Sequence, residues 1–157
     1  MSAEKQKTVL ITGASGGIGK ATAKAFAERG YRVVGVGRSA KAADFPTDGL
    51  YIQADLTKLD SFEIIFARLR EYCDRLDVLV NNAAYQITKP LLETTVEEWD
   101  TVMATNLRPA FLMAQKAHPW LKATKGAIVN VASVHAVATS ANIAAYAASK
   151  GGVLALT

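Results

Sequence analysis

Short apolar runs alternate with helical patterns from one end of the chain to the other. The runs are rich in β-branched residues and stop at glycine or polar residues, as strands do. Strands are predicted at 8–11, 32–36, 50–54, 78–80 and 127–131. The run at 78–80 is apolar throughout, which is typical of a strand covered on both faces of a parallel sheet.

Amphipathic helical patterns fill the intervals between these runs. They are predicted at 17–29, from Thr57 to Cys73, from Thr95 to about Lys122, and from Ala144 onward. Strands alternating with helices imply βαβ units with right-handed crossovers. We therefore expect one domain over 1–157, an α/β, Rossmann-like doubly wound parallel sheet with strand order 3-2-1-4-5. The segment that most resembles a linker is a turn-rich loop at 44–49.

Two helix starts and one helix break can be predicted from local pattern. Thr57 is followed three residues later by Asp60, which comes close to a capping box, and Thr95-Val96-Glu97-Glu98 matches one. Pro109 lies inside the long helical pattern and has no N–H to donate. A kink or local irregularity is therefore expected near Asn106.

Composition narrows the class of protein. Half of the 157 residues are apolar and a fifth are charged, as in an ordinary globular domain. Neither an apolar stretch of membrane-spanning length nor a secretory signal is visible. Cys73 is the sole cysteine, so no internal disulfide can form. We expect a cytoplasmic protein without a membrane partner. The two histidines and Cys73 show no metal-ligand spacing.

The net charge is +4, and the basic excess lies in the first 41 residues. Such an excess could attract an anionic ligand, or it could reflect solvated helix faces. Nucleic acid is not an expected partner, because the basic residues are scattered and no aromatic platform is interleaved with them.

A glycine-rich turn, Thr12-Gly13-Ala14-Ser15-Gly16-Gly17-Ile18-Gly19, joins the first strand to the first helix. The first turn of a helix has free N–H groups and a partial positive charge, which bind a pyrophosphate where side chains leave room. Strand, glycines and helix together indicate a dinucleotide site, although a tight turn without ligand is the alternative. A nucleotide-triphosphatase loop is excluded, because Ala21 offers no hydroxyl for magnesium.

The end of the second strand bears on which nicotinamide cofactor binds. An acidic residue there would bind the ribose hydroxyls of NAD and repel a 2′-phosphate. The chain has Gly37-Arg38-Ser39 instead. Arg38 could pair with the phosphate and Ser39 could add a hydrogen bond, so NADP is favoured over NAD. A solvated surface role for Arg38 is the alternative, and Gly16 adds no second basic residue.

Candidate chemistry lies in the last quarter of the chain. Tyr146 and Lys150 are four residues apart on a predicted helix and therefore share one face. A cation near a tyrosine favours the phenolate, which makes it usable as a general acid or base. Ser133 ends the fifth strand, at the sheet edge where catalytic groups of open α/β sheets lie, although a turn cap is its alternative role. His135 could line the same pocket.

With these motifs the chain resembles the short-chain dehydrogenase/reductase family. The resemblance rests on Thr12 to Gly19, Asp55-Leu56, Asn81-Asn82-Ala83-Ala84, Asn106, Ser133 and Tyr146 to Lys150. It implies an NAD(P)-dependent oxidoreductase that interconverts a carbonyl and a secondary alcohol. It also implies a small-molecule substrate and a homodimer or homotetramer, formed by the long helix and the helix from Ala144.

The resemblance assigns four catalytic positions. Tyr146 would exchange a proton with the substrate oxygen and Ser133 would hydrogen-bond that oxygen. Lys150 would hold the nicotinamide ribose and lower the tyrosine pKa, and Asn106 would hold a water in a proton relay.

The same resemblance assigns the cofactor site. Asp55 would accept a hydrogen bond from the adenine amino group, and Asn81 would brace the sheet beside the cofactor. Ala84 stands where family members usually have glycine, and its extra methyl group is expected to cause a small local adjustment without loss of binding. The cofactor-binding positions are Gly13, Ser15, Gly16, Gly17, Ile18, Gly19, Arg38, Ser39, Asp55, Leu56, Asn82, Ala83, Ala84, Tyr146 and Lys150.

Family members usually continue for about another hundred residues, which would supply further strands and the substrate loop. A second hypothesis is therefore a truncated, catalytically inactive dinucleotide-binding or assembly module. The fifth strand is then expected to be an open sheet edge.

Overall fold

The computed structural model describes residues 6–40, 45–46 and 48–157. Its sheet has five parallel strands, and their order confirms the predicted 3-2-1-4-5 topology. The strands are β1 Thr8–Thr12, β2 Arg32–Gly37, β3 Leu50–Gln53, β4 Val78–Asn81 and β5 Ala127–Asn130. The predicted loop at 44–49 falls partly outside the described residues.

The described residues also form five α-helices and two short 3₁₀ turns, of which the last turn and the last helix follow the final strand. The helices are α1 Gly17–Glu28, α2 Asp60–Tyr72, α3 Val96–Asn106, α4 Arg108–Thr124 and α5 Ala144–Leu156. The 3₁₀ turns are Leu91–Glu93 and Val134–Ala136. No helix of the described ranges is both long and apolar enough to cross a membrane.

Hydrophobic packing covers the sheet on both faces because successive strand residues point to opposite sides. On β1, Leu10 belongs to a cluster that includes Phe62 and Phe66 of α2 and Met113 of α4. Its neighbours Val9 and Ile11 belong to a second cluster with Ala23 of α1 and Phe45. The two layers pack α2 and α4 against one face of the sheet and α1 against the other.

The edge strand β5 is partly open. Ile128 and Val129 are 40% and 48% exposed, whereas Leu79 and Val80 on the neighbouring β4 are buried. This matches the expectation of an open edge at the fifth strand.

The capping box at Thr95 is confirmed, whereas the one predicted at Thr57 is wrong. Thr95 Oγ1 accepts from the Glu98 N–H at 3.2 Å, and Glu98 Oε2 accepts from the Thr95 N–H at 2.9 Å. By contrast, α2 begins only at Asp60, with Leu59 as its N-cap. The Thr57 N–H and hydroxyl instead both donate to Asp55 Oδ1, at 3.0 and 2.9 Å, in a turn that precedes the helix.

The predicted irregularity near Asn106 is confirmed. Leu107, with φ −102° and ψ −55°, separates α3 from α4. Pro109 lies in the first turn of α4. Because proline has no N–H, the carbonyl four residues earlier, that of Thr105, cannot be bonded as in a continuous helix. The break places Asn106 at the end of α3, facing α5.

Candidate active site

The carboxyl ends of all five strands border one cleft of about 510 Å³. In a parallel sheet these ends share an edge, so segments distant in sequence meet there. The cleft contains all the predicted cofactor-binding residues except Gly19: Gly13, Ser15, Gly16, Gly17, Ile18, Arg38, Ser39, Asp55, Leu56, Asn82, Ala83, Ala84, Tyr146 and Lys150. Asn106 and Ser133 are not part of its lining.

The structure adds lining residues that were not predicted as site residues. They are Gly37, Ala54, Thr105, Val131 and Ala132. Ala54 and Val131 end two of the predicted strands, and Gly37 and Ala132 each lie one residue beyond a predicted strand, so the strand ends were the signal that could have found them. Thr105 carries no such signal, since it lies inside α3 and reaches the cleft only through helix packing.

The start of α1 forms a bare, positively polarised surface in the cleft. Gly16 is the N-cap and has no side chain to accept from the first N–H groups of the helix. A Cβ added at Gly16 or at Gly17 would meet nothing within 4 Å, and Gly17 has φ +51°. The first turn of α1 contains no acidic residue. A phosphate-bearing ligand fits this position, because the free N–H groups and the helix dipole both favour an anion.

Gly19 has a packing role one turn further along. A Cβ there would overlap the Gly13 carbonyl oxygen, and one on Gly13 would lie 2.8 Å from the Ala83 Cα. The two glycines therefore let α1, the turn and the segment after β4 approach one another closely. This explains why Gly19 lies behind the cleft surface.

Hydrogen bonds tie the segment after β4 to the glycine-rich turn. Thr12 Oγ1 accepts from the N–H groups of Asn82 and Ala83, at 3.0 and 3.1 Å. Asn82 Nδ2 donates in return to the Thr12 carbonyl at 3.0 Å. Ala84 follows directly and lines the cleft with only a methyl group. Asn81 Nδ2 donates to Asn130 Oδ1 at 2.8 Å and so links β4 to β5.

One end of the cleft is polar and holds charges of both signs. Arg38 and Ser39 follow β2 and are exposed. Asp55 follows β3, and its Oδ1 accepts from the Thr57 N–H at 3.0 Å. That backbone hydrogen bond lowers the pKa of Asp55 below its usual value, with a smaller contribution from the charge of Arg38. Asp55 is therefore an acceptor at neutral pH.

Tyr146 and Lys150 enter the other end of the cleft from the first two turns of α5. Lys150 is only 2% exposed, and its Nζ donates to the Val131 carbonyl at 2.6 Å. The same Nζ lies 5.9 Å from the centre of the Tyr146 ring. Burial lowers the pKa of Lys150. The His135 ring packs edge to face on Tyr146, with centres 6.3 Å apart.

Ser133 does not end β5, as the sequence suggested, because the strand stops at Asn130. Ser133 is instead the N-cap of the 3₁₀ turn Val134–Ala136, and its Oγ accepts from the His135 N–H at 3.2 Å. The cap that the sequence left as an alternative is thus present in the structure. It orients the turn that carries His135 toward Tyr146.

Asn106 is buried, and its amide joins three parts of the site. Its Oδ1 accepts from the Tyr85 N–H at 2.7 Å, and its Nδ2 donates to the Tyr85 carbonyl and to Ser149 Oγ, both at 2.9 Å. Ser149 directly precedes Lys150 on α5. Asn106 therefore holds α3, α5 and the segment after β4 in register behind the cleft.

Comparison with known proteins agrees with this architecture. The family model for short chain dehydrogenases matches residues 7–157. A 3-oxoacyl-(acyl-carrier-protein) reductase from Vibrio cholerae is 36% identical over 96% of this chain and 64% of its own length. An NAD-dependent glycerol dehydrogenase from Listeria innocua is 34% identical over 96% of this chain and 62% of its own length.

Solved structures give the same picture. A 4-hydroxyisoleucine dehydrogenase complexed with NADH superimposes with a TM-score of 0.87 and 29% identity, over 97% of this chain and 66% of that one. The chain spans less than two thirds of the length of the two curated relatives named above. Its fold, its motifs and the family match agree: the chain belongs to the short-chain dehydrogenase/reductase family of oxidoreductases.

Proposed function

We propose that the protein interconverts a carbonyl and a secondary alcohol on a small molecule, using a nicotinamide dinucleotide. The observation that carries the proposal is the meeting of the glycine-rich turn with Tyr146 and Lys150 in one cleft of about 510 Å³. A site of this size can enclose a ligand of several hundred cubic ångströms. The NADH named in one related structure supports this class of cofactor.

The residues of the cleft fit such a cofactor along its length. The N-terminus of α1 would bind the pyrophosphate, and Asp55 would accept from the adenine amino group. Lys150 would donate to the nicotinamide ribose, and Asn82 to Ala84 would line the path between the two halves. When bound, the dinucleotide supplies or accepts the hydride.

Proton transfer is assigned to Tyr146. Its hydroxyl would give a proton to the substrate oxygen during reduction and take it back during oxidation. Ser133 would hydrogen-bond the same oxygen, while Lys150, held by the Val131 carbonyl, keeps a cation on this side of the cleft. His135 packs against the Tyr146 ring and restricts its orientation.

A relay role for Asn106 has one structural support. A cavity of about 10 Å³ is bordered by Asn106, Lys150 and Asn81, which is roughly the space that one water needs. Asn81 Oδ1 is buried and has no hydrogen-bond partner among the described residues. A water bonded to that oxygen would connect Lys150 to the region behind the cleft.

For the cofactor, we propose a preference for NADP over NAD. Arg38 and Ser39 directly follow β2, at a place where a carboxylate would favour NAD. Replacing Arg38 with alanine should raise the Kd for NADPH by about tenfold or more and change that for NADH by less than about twofold, because a charge-assisted phosphate contact is lost. Arg29→Ala removes the same charge at the C-cap of α1, where the side chain donates to the Ala25 carbonyl, and it should change neither.

The activity can be tested with a broad panel of carbonyl compounds, following oxidation of NADPH and NADH. We expect Tyr146→Phe to lower kcat by about 10²-fold or more and to leave cofactor affinity within about twofold. Tyr31→Phe, at a tyrosine that packs on Phe26, is the matched control and should be active. Tight cofactor binding without any turnover would instead identify an inactive dinucleotide-binding module.

We also propose a homodimer or homotetramer formed through the helices α4 and α5. Phe111 and Leu154, on these two helices, are 50% and 49% exposed, and such apolar groups are enriched at subunit contacts. Light scattering that detects monomers alone would contradict the proposal.

A further inference from the structure

Backbone pairing between β2 and β3 ends just before Arg38 and Ser39, which lie at the polar end of the cleft. Gly37 pairs with Gln53 in the ladder, and the Ala54 N–H donates to the Gly37 carbonyl at 2.9 Å. The next two residues, Arg38 and Ser39, leave the sheet and are exposed. A segment of this kind needs other partners if its path is to be fixed.

Two side chains from β3 provide those partners. Gln53 Nε2 donates to the Arg38 carbonyl at 2.9 Å, and Tyr51 Oη donates to the Ser39 carbonyl at 3.0 Å. Residues two apart on a strand point to the same face, so both side chains reach past the end of β2 from one side. Neither residue lines the cleft.

Tyr51 is itself held firmly. Its ring packs edge to face on Phe45, with centres 5.3 Å apart. A Cβ on Gly37 would overlap the Tyr51 hydroxyl, and on its other side it would lie 3.0 Å from Ser15 Oγ. The missing side chain of Gly37 therefore leaves the space in which the Tyr51 hydroxyl and Ser15 of the glycine-rich turn both lie close to it. This contact couples the path of the Arg38–Ser39 segment to the phosphate-binding surface.

We propose that Tyr51 and Gln53 are positioning residues for cofactor selectivity, which hold the Arg38–Ser39 backbone so that Arg38 faces a 2′-phosphate. This inference rests on the proposed function, because it assumes that the cleft binds NADP through Arg38. It extends that proposal to two residues that act through Arg38 without contacting the ligand.

The test is a set of NADPH and NADH titrations followed by nicotinamide fluorescence. Tyr51→Phe removes one hydroxyl and keeps the ring, and Gln53→Met removes the donor at similar length. Each should raise the Kd for NADPH by about 3- to 10-fold, the range expected for one hydrogen bond, and change that for NADH by less than about twofold. On an Arg38→Ala background the effect of either change should fall below about twofold, since their action passes through Arg38.

The matched control is Tyr72→Phe. The Tyr72 hydroxyl also donates to a loop carbonyl, that of Asp48, at 2.5 Å, but Tyr72 lies away from the cleft. This variant should keep the wild-type ratio of the two dissociation constants. Thermal melting of every variant within about 3 °C of wild type would show that folding does not cause the change.

The outcomes separate this inference from the function beneath it. The positioning role would be overturned, and the cofactor site left intact, if the variants weakened NADPH and NADH binding equally or left the ratio of the two dissociation constants unchanged. It would also be overturned if their effect on NADPH binding persisted in the Arg38→Ala background. A wild-type protein that binds neither dinucleotide would refute the proposed function and the inference together. A wild-type preference for NADH, or an Arg38→Ala variant that retains NADPH preference, would refute the role of Arg38 and with it the inference.

Discussion

Replacing Asn106 with alanine removes three side-chain hydrogen bonds at the junction of α3, α5 and the segment after β4. Each bond contributes about 1 kcal/mol net, so the bonds together contribute about 3 kcal/mol. Alanine returns at most about 0.7 kcal/mol through its better helix propensity. We therefore expect the free energy of unfolding to fall by about 2–3 kcal/mol. For a chain of this length, that lowers Tm by about 5–10 °C.

Urea unfolding followed by circular dichroism measures this loss directly. Gln86→Ala is the matched control, because the exposed Gln86 amide makes a single hydrogen bond of 3.4 Å, to Thr88. That variant should stay within about 0.5 kcal/mol of wild type. A loss below about 1 kcal/mol for Asn106→Ala would refute the anchoring role and leave only a local role in the site.

Three further changes test the packing and the buried charges. Gly19→Ala should destabilise the fold by about 2 kcal/mol or more, because its methyl group overlaps the Gly13 carbonyl. The methyl group of Gly16→Ala meets open space, so that variant should stay near wild type. Equal chemical-denaturation midpoints for the two variants would contradict this. Burial lowers the pKa of Lys150, so its ammonium destabilises the fold at neutral pH, and this penalty fades as pH rises toward the unfolded value near 10.5. The stability of Lys150→Met relative to wild type should therefore be greatest near pH 7 and decline toward pH 10 in urea unfolding, and a difference that is the same at both pH values would argue against it. Asp77→Ala removes the acceptor of the Thr8 N–H and of Arg75 Nε, so the free energy of unfolding should fall by about 2 kcal/mol. An unchanged midpoint in urea unfolding would contradict this.

The topology was predictable because apolar runs and helical periods alternate so regularly. The order of the strands follows from right-handed crossovers, and the cleft follows from the shared edge of parallel strands. Pro109 predicted the break between α3 and α4 for a reason that is local to the backbone. These features depend on residues near one another in sequence.

Features decided by distant partners were not predictable. Thr57 and Thr95 both stand three residues before an acidic residue, yet only Thr95 caps its helix, whereas Thr57 donates to Asp55 in a turn before α2. Ser133 was expected at the end of β5, but the strand ends earlier and Ser133 caps a 3₁₀ turn instead.

Residues that support the site from behind were missed for the same reason. The bonds from Tyr51 and Gln53 to the segment after β2 depend on the register between β2 and β3, which a single sequence does not specify. The contacts of Asn106 likewise join residues up to 43 positions apart. The positions of strand ends can be predicted from the apolar runs in the sequence. Contacts between residues far apart in sequence can be identified only in the folded structure.

We propose above all that the bare start of α1 binds the phosphates of a nicotinamide dinucleotide. The most direct measurement is a fluorescence titration of wild-type protein and of Gly16→Glu with NADPH, with Gly16→Ala as the control. The glutamate side chain has open space in which to lie, so the fold should persist while its carboxylate repels the pyrophosphate. We expect saturable binding to wild type and at least about tenfold weaker binding to Gly16→Glu; equal affinity, or no saturable binding to wild type, would contradict the account.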